Sequence, residues 1–90
     1  MVSMQVAVEL FGIPRARAGT AQTSAVGGNL GDVLADLARQ FPRLADTCID
    51  GRSLRPGFIV NLGAERFVTA PETPLSEGDV VLLLSLDAGG

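Results

Sequence analysis

The stretch "GGNLGDVLADLARQFPRL", residues 27–44, holds the clearest helical pattern in the chain. Leu30, Val33, Leu34, Leu37 and Phe41 recur at the three-and-four spacing of one helical face, which predicts an amphipathic helix with a single buried stripe. Asn29 stands as its N-cap, Asp32 falls at the third helical position where a carboxylate meets the positive helix end, and Pro42 halts the run. The opening "GGNLGD" has the look of a phosphate loop. It lacks both the GxGxxG and the GxxxxGK spacings, so it reads as the entry to a capped helix.

Strand patterns lie on both sides of this helix. Residues 2–10, "VSMQVAVEL", alternate with Val2, Met4, Val6, Val8 and Leu10 on one face, the period of a half-buried strand. "GIPRARAGT" at 12–20 breaks the alternation with Gly12, Pro14 and Gly19 and reads as an exposed turn or short loop. "TAQTSAV" at 20–26 returns as the second strand of a hairpin. Beyond the helix, residues 45–57 show no periodic apolar pattern, and "DGRSLRPG" within them reads as surface loop.

A strand "FIVNL" at 58–62 then turns at Gly63-Ala64 into a short continuation, "ERFV", giving a second hairpin. "APETPLSEGD" at 70–79 is a connection rich in turn residues. The final run, "VVLLLSL" at 80–86, is apolar at both parities except for Ser85. Such a strand belongs in the middle of a sheet, or has one face on the core and the other on a partner. Two hairpins flanking one helix and closed by a central strand describe an α+β architecture, the ubiquitin-like β-grasp: a mixed sheet of four to five strands packed on one main helix.

Composition agrees with one small domain. In 90 residues, hydrophobic types make up 47% against 19% charged, so a packed core of Val, Leu and Ala is expected. The net charge of −3 argues against nucleic acid as a partner. The longest apolar run is far short of the ~20 residues that cross a bilayer, and no signal-peptide pattern opens the chain, so no membrane association and a cytoplasmic location are expected. Cys48 is the single cysteine and there is no histidine. No metal site, no Ser-His pair and no Cys-His pair can be assembled from these residues. Cys48 itself reads as a small buried or half-buried residue. The acidic residues show no spacing that suggests an acid-base pair, and the chain reads as a non-enzyme.

All seven basic residues are arginine. A GC-rich coding preference accounts for that. A chain whose terminus becomes an acylating agent would also gain from carrying no lysine amine.

The strand at 80–86 runs almost directly into Asp87-Ala88-Gly89-Gly90. Glycine packs nothing and loses the most backbone freedom on ordering, so residues 87–90 are expected to form a flexible tail beyond a β-grasp domain spanning 1–86. Two terminal glycines free of side chains suit a narrow channel in another protein's active site, with Asp87 and Ala88 as a slim lead-in.

These features together resemble the MoaD/ThiS family of sulfur carriers. "LFGIPRARAGT" is similar to the first-strand and loop pattern of the MoaD group, and "LGDVLADLARQFPRL" to its helix. "FIVNLGAERFVTAPETPLSEGDVVLLL" resembles its Val-Asn hairpin, Pro-Leu, Gly-Asp turn and last strand, and the Gly-Gly end completes the match. The resemblance implies a protein co-substrate, in the manner of the small subunit of molybdopterin synthase. Its Gly90 carboxylate would be adenylated with ATP by a ubiquitin-activating-type adenylyltransferase (MoaB/MoeB/ThiF-like). A persulfide donor would convert it to a thiocarboxylate, and the sulfur would pass to a synthase (MoaE-like or other). No cofactor is implied as bound, since the sulfur is carried covalently.

By the same resemblance Gly89 gives access, while Phe11, Leu82, Leu84, Leu86, Asp87 and Ala88 meet partners, with Val81 and Leu83 turned to the helix. Molybdopterin synthesis, for the molybdenum cofactor, is the leading pathway. Leu84, Ser85 and Leu86 stand where MoaD proteins carry a Phe-Pro-Pro-type stretch, and "DGRSLRPG" resembles a loop of carriers that serve cysteine synthesis. Cysteine or thiamine synthesis, a ubiquitin-like modifier joined to lysines, and an inert β-grasp binding module are the alternatives.

Overall fold

The computed structural model describes residues 4–63 and 65–86. The amphipathic segment forms a helix at Leu30–Gln40, called α2 here because a short helix, α1, precedes it at Ile13–Ala18. Asn29 caps α2 as expected, its side-chain oxygen accepting the Asp32 N–H at 2.8 Å. The other free donors of the first turn are met from the connection at 70–79. Leu30 N–H donates to Thr73 O at 2.9 Å and Gly31 N–H to Pro71 O at 2.7 Å. That connection is therefore a strap across the helix start, and its Leu75 is buried.

Five strands make the main sheet: β1 (Gln5–Leu10), β2 (Gln22–Val26), β5 (Phe58–Leu62), β6 (Arg66–Val68) and β7 (Val80–Ser85), in the order β2-β1-β7-β5-β6. The two hairpins are antiparallel, and β7 lies between them, parallel to β1 and antiparallel to β5. The last strand thus takes the central place its apolar character predicts. Val81 and Leu83 face the core while Leu82 and Leu84 face outward, as expected.

Three expectations are corrected. The segment at 12–20 is not a loop: Pro14 opens α1 and Gly19 closes it in the left-handed conformation, its N–H donating to Arg15 O. Pro near the start and Gly just past the end are helix punctuation as well as loop punctuation, and Pro14 is buried. Pro42 likewise halts α2 but starts a further helix, α3, at Pro42–Thr47. Proline at N1 has no donor to waste and its φ suits the first turn.

The loop read at 50–57 holds most of a small hairpin, β3 (Ile49–Asp50) with β4 (Ser53–Leu54). Just before it the end of α3 leads into Cys48, buried as expected, and buried Ile49. Phe41, Leu44 and Cys48 share one face of α3, but a six-residue helix is too short for that spacing to stand out in the sequence.

The core is aliphatic. Leu30, Val33, Leu34 and Leu37 of α2 and Leu44 of α3 pack on Val6, Val8 and Leu10 of β1, Val60 and Leu62 of β5, and Val81 and Leu83 of β7. All of this lies on one face of the sheet. No described helix is long and apolar enough to cross a membrane.

Candidate docking face and tail exit

Strand parity decides what the free face of the sheet shows. Outward positions on the three central strands are Gln5, Ala7 and Glu9 of β1, Val80, Leu82 and Leu84 of β7, and Ile59 and Asn61 of β5. Glu9 is the only charge among them. Leu84 lies opposite Ile59, and Leu82 opposite Asn61, which in turn faces Phe67 of β6. Phe67 is 62% exposed. A depression of about 270 Å³ lined by Glu9, Gly63, Val80 and Leu82 indents this face.

Phe11 stands at the same end as the top of β7. It lies one step beyond the Leu10–Leu83 pair, its N–H donates to Leu83 O at 3.0 Å, and its side chain is 41% exposed. Leu86 follows β7 directly, is 58% exposed, and its N–H donates to Gly57 O at 2.7 Å. Gly12 lines the other side of this exit, where a Cβ would come within 3.1 Å of Ser85 Oγ. The structure thus brings Phe11, Leu84 and Leu86 to one end of the sheet, with Leu82 further along the same face. Asp87, Ala88, Gly89 and Gly90 lie outside the described residues.

Ile59, Asn61 and Phe67 are part of this face and were not singled out in the sequence. Their alternation with Val60 and Leu62 across a hairpin is the signal that could have found them. Asn61 Oδ1 is buried with no hydrogen-bond partner among the described residues, an uncommon state for a polar atom and a costly one.

Titrating groups near the helices are structural. Burial raises the Asp36 carboxyl, but hydrogen bonds from Val26 N–H, Arg39 and Gln40, with the Arg39 charge, outweigh it and leave the group below its ordinary value. Burial pushes the Cys48 thiol up to about 11 against the opposing charges of Arg17 and Arg55, so it is no nucleophile at neutral pH. Among the described residues no group of three or more metal-ligating side chains gathers.

A mixed sheet with a central parallel pair, wrapped on one main helix, is the ubiquitin-like β-grasp fold. Solved structures share it over almost the whole chain. Small archaeal modifier protein 1 from Methanosarcina acetivorans is 24% identical, with all of both chains covered and a TM-score of 0.79. A chain of the BexX/CysO complex from Amycolatopsis orientalis is 20% identical over 94% of this chain and 99% of that one, with a TM-score of 0.78. A putative molybdopterin converting factor, subunit 1, from Pyrococcus furiosus is 21% identical over 92% and 98%, with a TM-score of 0.68. No protein-family model and no curated protein sequence matches the chain. The likeness is therefore one of fold, and it meets the resemblance drawn from the residues.

Proposed function

We propose that the protein is a sulfur carrier and acts as a co-substrate of other enzymes. Its Gly90 carboxylate is adenylated with ATP by a ubiquitin-activating-type enzyme, and a persulfide donor then turns it into a thiocarboxylate. A carboxylate is a poor electrophile because its charge is shared over two oxygens. As an acyl-adenylate it accepts the terminal sulfur of the persulfide, with AMP as the leaving group. A second thiol then cleaves the S–S bond of the resulting acyl disulfide, which releases the thiocarboxylate and leaves a disulfide on the donor side.

The observation that supports this best is a continuity along one strand. β7 carries Leu82 and Leu84 on the uncovered sheet face and leads through exposed Leu86 into the Gly-Gly end. An apolar face beside a reactive end lets a partner hold the domain while its active site takes the tail. Phe11, Leu82, Leu84 and Leu86 are the proposed docking residues, Asp87 and Ala88 the lead-in, and Gly89 the point of close access.

Delivery to molybdopterin, through a MoaE-like synthase, is the pathway favoured by the neighbour described as a molybdopterin converting factor subunit. The neighbour described as a modifier protein favours a second reading, in which Gly90 is joined to lysines of other proteins.

Intact mass after incubation with ATP, the activating enzyme and a persulfide donor tests the first reading. The expected gain is the difference between one sulfur and one oxygen. An unchanged terminus, or full sulfur transfer by a chain lacking Gly90, overturns it. Gly-Gly remnants on lysines of other host proteins, without any thiocarboxylate, would establish the modifier instead.

A further inference from the structure

The described arginines divide by partner. Arg39 pairs with Asp36, Arg52 pairs with Asp32, and the Arg55 guanidinium donates to Ala45 O. Arg15, Arg17, Arg43 and Arg66 are exposed and make no ion pair among the described residues, and of these Arg17 and Arg43 line one groove of about 280 Å³. The groove lies where the end of α1 meets the junction of α2 and α3, and its apolar lining includes Ala18, half-buried Phe41 and exposed Pro42. Asp46 follows Arg43 by three residues on α3 and forms no ion pair with it among the described residues.

The pair of cations stands in a chain of net charge −3, and no described acidic residue lines the groove. We propose that the groove docks an acidic segment of a partner protein, which sets an apolar side chain on Phe41 and Pro42 and carboxylates on Arg17 and Arg43. Guanidinium forks suit carboxylates because they donate two parallel hydrogen bonds, and two forks without ion-pair partners among the described residues, beside Phe41 and Pro42, fit acidic residues flanking one apolar residue. The volume is at the lower end of small-molecule pockets, enough for a side chain and little more. The sheet face offers no such match, because its one central charge, Glu9, is itself a carboxylate. The groove's charge does not depend on what chemistry the tail performs, and this surface would hold a partner apart from the Leu82–Leu84 face.

The test is an amide NMR titration of the whole chain with a synthetic peptide of alternating Glu and Leu. Shifts are expected at Arg17, Gly19, Gln40 and Arg43. Affinity should fall at least about tenfold when salt rises from ~0.05 to ~0.5 M, and as much in Arg17→Glu/Arg43→Glu. Both side chains are exposed, so the thermal midpoint should stay near that of the parent, and Arg17→Gln/Arg43→Gln gives an intermediate loss without charge reversal.

Shifts confined to Leu82 and Leu84 overturn the proposal, as does binding undiminished by charge reversal. Equal shifts produced by acetate alone would reduce the groove to a simple anion site. Concentration-dependent occupancy by a second copy of the chain would replace the acidic partner.

Discussion

Val81 and Leu83 on one side of β7, and Leu82 and Leu84 on the other, are nearly the same chemistry, yet the first pair is fully buried and the second only half so. The inner pair meets the aliphatic stripe of α2 and Leu44 of α3. No described element covers the outer pair. Apolar content alone does not tell a core face from a docking face; what separates them is whether the chain has an element left to lay on each. With one main helix and two short ones gathered on a single side, the described residues cover one face and leave the other, the proposed docking face, uncovered.

The comparison can be broken most severely from the inside. Leu83→Ala removes a fully buried side chain and should cost about 2–5 kcal/mol, a large share of the stability of so small a domain, measured by urea denaturation. If it costs no more than an outer substitution, the two faces are not distinct. Gly27→Ala comes next. A Cβ there would come 2.6 Å from Asp32 Cβ and 2.9 Å from Val33 N, forcing α2 away from the end of β2. A loss of about 1–3 kcal/mol is expected, with labelling of buried Cys48 by an alkylating reagent rising as the inner face loosens.

Asp36→Asn should cost about 1 kcal/mol at neutral pH, because Asp36 ties α2 to edge strand β2 through Val26 N–H. Its folded value lies below 3.8, so the carboxylate's contribution is complete above 3.8 and is lost as pH falls through the lower folded value. Variant and parent should therefore converge in acid. A difference that persists there would point to packing instead.

The smallest stability effect belongs to the outer face. Leu82→Ser should change unfolding free energy by less than about 1 kcal/mol while weakening capture by the activating enzyme about tenfold or more. Unchanged capture would separate this face from the tail's work.

The strongest periodicities translated directly into structure. The α2 stripe, the β1 alternation and the doubly apolar β7 each extend over enough residues to state their own period, and they sufficed to order the sheet around one helix. α1, α3 and the β3–β4 hairpin were not legible because each is shorter than the window in which a period shows. Their formation rests on burying Pro14, Leu44, Cys48 and Ile49 against the core, which no local pattern announces. At the candidate docking face, Leu82 and Leu84 came from the family resemblance, because a strand apolar at both parities does not say which side is covered, and Ile59, Asn61 and Phe67 needed the cross-strand register.

What the amino-acid sequence determined by itself is local: the long periodic elements α2, β1, β5 and β7, the apolar positions along each, and the Gly-Gly ending with its freedom from side chains. The tertiary structure decided which apolar face is covered, that the strap at 70–79 feeds the helix start its hydrogen-bond acceptors, and that Arg17 and Arg43, distant along the chain, share one groove. The reason is range. Hydrogen-bond periodicity is fixed by neighbours within a turn or a pleat, whereas burial depends on which distant segment arrives to exclude water.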